Sequence, residues 1–179
     1  MRLFYSGADV VDNPQADPRI SLGGFLSSTV VPNDFLGNLF DDISLYTLKK
    51  GAIYTKAVFL KNETGQVVND LEAYFEQNIS SEYLAQFQIG ASTALNNEQI
   101  EQIGNSRSVP YSVQFFSANG VANKVLLTNQ IPIDGVIGIW IKRIIEATPS
   151  PECDVIFDDW KNKVSKEKEE VTELIFDYT

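Results

Sequence analysis

The chain has 179 residues, 44% of them apolar and 21% charged, which is enough for one domain with a real core and excludes wholesale disorder. Its 24 acidic residues against 14 basic ones leave a net charge of −10, which argues against a nucleic-acid binder and against docking on anionic lipid. There is no histidine and a single cysteine, Cys153, which removes Ser-His-Asp and Cys-His catalysis, most zinc and copper sites, and any disulfide within the chain.

In chain order, Leu3 to Tyr5 reads as a short strand, and Ser6 to Arg19 is dense in turn chemistry: Gly7, Pro14, Pro18 and four Asp or Asn residues. Ser21 to Val31 follows with the paired glycines Gly23 and Gly24. Leu22, Phe25, Leu26, Val30 and Val31 have no evident partners within so irregular a segment. Residues 1–32 are therefore expected to form an extended N-terminal arm ahead of a β-sandwich domain over 33–179. The arm either folds back on its own domain or lies on a neighbouring subunit, with Tyr5, Leu22, Phe25, Leu26 and Val30 as the partner-contacting side chains.

Asn33 is a candidate N-cap for a helix of one or two turns carrying Phe35, Leu36, Leu39 and Phe40. Beyond Lys49-Lys50-Gly51 comes the clearest strand, Ala52 to Leu60, apolar or β-forming on both faces except at Lys56. A strand of that kind is buried on both faces, in the middle of a fold. Asn62 to Gly65 is a turn, and a half-buried strand lies within Val67 to Gln77, where Leu71, Ala73 and Phe75 alternate with Glu72, Tyr74 and Glu76. Leu84 to Ile89 repeats the alternation. Asn96 to Ile103 suits a helical turn, and Val109 to Phe116 with Val121 to Thr128 suits a hairpin turning at Asn119-Gly120.

Pro132 to Gly135 is a further turn into a strand over Val136 to Ala147, whose second half gains an exposed side at Lys142 and Arg143. Asp154 to Asp158 is edge-like, Lys161 to Glu170 a solvated mixed-charge run, and Glu170 to Tyr178 a last alternating strand. Seven or eight strands so spaced predict a mainly β fold. The class is an antiparallel β-sandwich, immunoglobulin-like or jelly-roll-like, with the arm and one or two short helices.

Nothing in the chain suggests catalytic, cofactor-binding or metal-ligating residues. Asp41-Asp42 and Asp158-Asp159 are adjacent carboxylates without a calcium-loop pattern, and Gly23-Gly24 lacks the lysine and preceding strand of a phosphate loop. No run reaches the about 18 apolar residues of a membrane span. The opening Met1 to Asp9 is too polar for a signal peptide, so the chain is expected to stay where it is made or travel within an assembly.

Several motifs together resemble an uncharacterised family of tailed-bacteriophage virion proteins. They are Tyr5-Ser6-Gly7, Asp17-Pro18, Ser21-Leu22-Gly23-Gly24, Ser27-Ser28-Thr29, Asn38 to Ser44, Tyr54, and Val58 to Asn62, with Gly135, Trp140 and Lys142-Arg143 later. The resemblance implies a non-enzymatic structural subunit, first a capsid auxiliary or decoration protein, alternatively a tail, collar or baseplate component. Its partners would be other virion proteins, foremost the major capsid protein, with no direct nucleic-acid or membrane contact and no cofactor. Its place would be the virion, assembled in the host cytoplasm. A reading from another class is a carbohydrate-binding or hydrolytic module using Tyr74, Trp160 and Asp159.

Overall fold

The computed structural model describes residues 1–32, 38–41, 43–76, 86–92, 98–148 and 173–179. Cys153, Asp158, Asp159, Trp160, the strand expected at Asp154 to Asp158 and the charged run at Lys161 to Glu170 lie outside them, as does most of the helix expected after Asn33.

The predicted class is observed: the chain is mainly β, and its sheets are antiparallel throughout. The strands are β1 (Arg2–Ala8), β2 (Gly24–Val30), β3 (Ala52–Lys61), β4 (Val68–Glu76), β5 (Gln86–Ala91), β6 (Gln99–Ile100), β7 (Phe116–Ser117), β8 (Val125–Ile131), β9 (Val136–Ile145) and β10 (Glu173–Asp177). The helix α1 spans Leu45–Lys50. Ser44 caps it, its hydroxyl accepting the Thr47 amide at 3.1 Å, and Gly51 (φ 69) ends it. A seven-stranded sheet runs β6-β2-β1-β3-β9-β5-β7, and a three-stranded sheet runs β10-β4-β8.

The alternation on β3 explains the layers. Val58 and Leu60, together with Ile137, Ile139 and Ile141 of the neighbouring β9, face the small sheet and share a core with Leu71, Ala73 and Phe75 of β4 and Leu127 and Ile131 of β8. Leu174 and Phe176 of β10 pack on the same core. Ala57 and Phe59 point the other way, into a second core with Phe4, Leu26 and Trp140, roofed by Ile100, Ile103 and Val113. β3 is thus buried on both faces. Each large side chain so buried contributes about 1.5–3 kcal/mol, so neither core is incidental.

Of the two alternatives for residues 1–32, the segment folds back on its own domain, and it goes further than an arm: it supplies two strands of the larger sheet. β1 lies between β2 and β3, with Phe4 opposite Phe59 and Tyr5 opposite Val58. Its alternation sends Tyr5 to the first core and Phe4 to the second. The turn-rich stretch is tied down by Gln15, whose amide donates to the Ser6 carbonyl at 2.5 Å and accepts the Asp17 amide.

Two further expectations are corrected. Val109 to Thr128 is not a hairpin: β7 pairs with β5 and β8 with β4. The amides of Tyr111 and Ser112 are taken by the Glu101 carboxylate at 2.9 and 3.0 Å, which withdraws that stretch from a ladder. The helical turn expected over Asn96 to Ile103 is, in its described part, the short strand β6 against Gly24 and Phe25.

Candidate functional site

β1 leaves β3 after Tyr5, where its register slips, and the edge of β3 beyond Val58 is satisfied by other means. The Ala57 amide donates to the Ser21 carbonyl at 2.9 Å and the Thr55 amide to the Ser106 carbonyl at 2.6 Å. Hydroxyls of Ser6 and Ser21 both donate to the Ala57 carbonyl, at 2.9 and 2.6 Å. In return Ser6 Oγ accepts the Gly23 amide and Ser21 Oγ the Ser6 amide, each at 3.1 Å. This cluster is closed: each buried polar atom named has a partner.

A cavity of about 120 Å³ lies over the paired strands β3 and β9, beside the segments that cross them. Tyr54 and Lys56 share the β3 face of Val58, and register places Arg143 of β9 opposite Tyr54 and Ile141 opposite Lys56. Lys56 (7% exposed) and Arg143 (8%) form the floor. Arg19, from the 3-10 turn Pro18–Ile20, and Asp41 stand at the open side, and hydroxyl-bearing Thr47 and Ser106 complete the lining. The Arg143 guanidinium lies 4.7 Å from the Phe40 ring centroid and 5.3 Å from that of Tyr54. Arg107 approaches the same Tyr54 ring at 5.8 Å, so the aromatic wall is faced by cations.

Lys56 Nζ donates to the Pro18 carbonyl at 2.5 Å. Burial pushes its pKa below the ordinary lysine value, and the charges of Asp41 and Asp17 push back. Neither carboxylate reaches ion-pair distance of that amine among the described residues. Asp17 is engaged by Arg19, whose Nη2 reaches Oδ2 at 2.7 Å and whose Nε reaches Oδ1 at 3.0 Å. That hydrogen bonding holds the Asp17 carboxyl at about 2.

The five side chains singled out in the sequence fall elsewhere. Tyr5 and Leu26 are core residues at 4% and 3% exposure, the Tyr5 hydroxyl donating to the Asn38 carbonyl at 3.3 Å. Leu22 packs on the second core, Phe25 is half-buried opposite Gln99, and Val30, opposite Phe4, is 36% exposed. Tyr74 is half-buried under the Lys124 amine, 5.9 Å from its ring centroid. The basic pair thought to mark an exposed side divides: Arg143 is buried, and the half-buried Lys142 sets its amine 4.5 Å from the Phe115 centroid.

Sequence reasoning passed over Lys56 as an interruption and did not weigh Arg19 at all. One signal was available, a single charged residue within the apolar run of β3. Among the described residues no three acidic or thiol side chains gather as a metal site, and no helix is long and apolar enough to cross a membrane. No protein-family model, curated protein or solved structure matches the chain.

Proposed function

We propose that this chain is a non-enzymatic structural protein of a larger assembly. Its sequence resemblance makes that assembly a tailed-phage virion and the chain, first, a capsid auxiliary or decoration protein on capsid subunits. The observation that carries the reading is the work done by the motif residues behind that resemblance. Ser6 and Ser21 replace missing ladder bonds on Ala57. Gly23 lets the backbone pass close to Glu101, since a Cβ there would sit 1.8 Å from the Glu101 carbonyl oxygen. Asp17 caps the 3-10 turn, and Asn62 Nδ2 ties Gln66 and Pro132 carbonyls at 2.8 and 2.9 Å. These are fold-building roles, which suits a family related by architecture rather than by a shared reaction.

The test is quantitative proteomics and imaging of purified particles from the source of the sequence. Recovery at the copy number of an icosahedral shell supports the capsid reading, and recovery at the low copy number of a ring-symmetric tail moves the chain to tail, collar or baseplate. Absence from particles, or turnover of a glycoside by the purified chain, overturns the proposal.

A further inference from the structure

From the cavity over β3 and β9 we infer a binding site for a compact oxyanion, a phosphate or carboxylate group, held by Lys56 on the floor and Arg19 at the mouth. The chain as a whole is strongly acidic, with only 14 basic residues, yet Arg19, Lys56 and Arg143 converge on one cavity from three distant parts of the sequence. Nothing in a sandwich core requires this. An apolar side chain at position 56 would continue the β3 pattern without a desolvation cost.

The chemistry of Lys56 points to what is held. An ammonium has three donors, and among the described residues one is taken, by the Pro18 carbonyl. Its hydrogen-bond acceptor is neutral, Asp41 and Asp17 acting on it through their charge without contact, and a charged acceptor would supply the stronger hydrogen bond. The cavity, about 120 Å³, has room for a phosphate-sized group. Arg19 is fixed by Asp17 with its side chain still 79% exposed, so it is positioned beside the mouth without being buried. Low-dielectric walls from Phe40 and Tyr54 strengthen the attraction relative to open surface. Asp41 lines the same cavity and opposes an incoming anion, so it tunes the affinity downward.

The full chain is titrated with sodium phosphate and, separately, sodium acetate, chloride holding the ionic strength constant. Binding is read by calorimetry and by the thermal midpoint, which a ligand of the folded state raises by mass action. The expected result is saturable binding of at least one oxyanion. Lys56→Gln should weaken it about tenfold or more, and Arg19→Gln by a smaller factor. Asp41→Asn should strengthen it. Saturation by phosphate alone, or by acetate alone, upholds the site and tells which group it holds. A response that chloride reproduces overturns it. So does wild-type affinity in both Lys56→Gln and Arg19→Gln. If Lys56→Gln does not fold, the exposed Arg19 and Asp41 variants decide: affinities that do not move in opposite directions overturn the site.

Discussion

The hydroxyl of Ser6 donates to the carbonyl of Ala57, 51 residues away, at 2.9 Å, and Ser21 donates to the same oxygen at 2.6 Å. Two side chains thereby stand where a neighbouring strand would have supplied an amide. Removing either leaves a buried amide without its acceptor: that of Gly23 in Ser6→Ala, that of Ser6 in Ser21→Ala. Each variant should lose about 1–3 kcal/mol in denaturant unfolding. Because the hydroxyls share one acceptor and lie 3.3 Å apart, the double variant should depart from the sum of the two. Losses near zero for both would show that the edge of β3 does not depend on them.

Gly23 and Gly65 offer a paired test of backbone constraint. Both have positive φ, 89 and 78. A Cβ at Gly65 meets nothing within 4 Å, whereas one at Gly23 would sit 1.8 Å from the Glu101 carbonyl oxygen and 2.9 Å from the Trp140 ring. Gly65→Ala should therefore cost about 1–2 kcal/mol, the left-handed penalty alone. Gly23→Ala should cost several times that, or prevent folding, since neither the backbone carbonyl nor Trp140 can yield. Equal thermal midpoints for the two variants would contradict the packing described.

Acid should act through the Arg19–Asp17 pair. Hydrogen bonds from the Arg19 side chain, and then from its backbone amide, hold the Asp17 carboxyl at about 2 against an ordinary 3.8. A folded-state value below the unfolded one means stability that is complete above pH 3.8 and is lost as pH falls from there toward 2. Glu101 behaves alike in sign: desolvation pushes its carboxyl up, but hydrogen bonds from the Ser112 hydroxyl and the Tyr111 and Ser112 amides outweigh it and hold it low. Unfolding midpoints measured from pH 5 down to pH 2 should fall, and Asp17→Asn should flatten part of that slope. An identical slope in the variant would remove Asp17 from the account.

What was legible in the sequence follows from what periodicity records. β3 declared itself because both parities are apolar, and β4 because Leu71, Ala73 and Phe75 alternate with polar neighbours. β1 was only partly legible. Phe4 and Tyr5 each enter a different core, and the stretch after them is held by Ser6, Gln15 and Ser21 side chains, which leave no repeating pattern. The roof over Trp140 was invisible for a related reason: Glu101 organises Tyr111 and Ser112 through its carboxylate and not through a ladder. The cationic cavity depends on the register that sets Tyr54 opposite Arg143, and pairing partners cannot be read from one strand alone.

If Lys56 is kept for a ligand, removing its charge should not harm the fold. Methionine matches its length and apolar stem, and the Pro18 carbonyl would keep the Ser21 amide, at 3.2 Å, as a donor. Replacing a buried ion by an apolar side chain of similar volume is commonly neutral or stabilising. Lys56→Met is expected to unfold at an equal or higher denaturant midpoint, by up to about 2 kcal/mol, while losing oxyanion binding. A loss of more than about 2 kcal/mol would mean that the ammonium's bond to Pro18 holds the 3-10 turn in place, and the lysine would then be structural.

Truncation after residue 32 separates an appended arm from an integral part of the sheet. The deleted segment contains β1, bonded to β3 from Arg2↔Lys61 to Tyr5↔Val58, and β2, bonded to β1 and β6. It also contains Phe4, Tyr5 and Leu26, so both cores would lose side chains and the edge of β3 would be bared. Deletions of single large core side chains already cost about 3–5 kcal/mol, comparable with the whole stability of a small domain. Residues 33–179 expressed alone are therefore expected to be aggregated or without a cooperative thermal transition, and a chain carrying 1–32 as a separate peptide should recover one. A soluble, cooperatively folded 33–179 fragment would show that β1 and β2 are additions to a sheet complete without them.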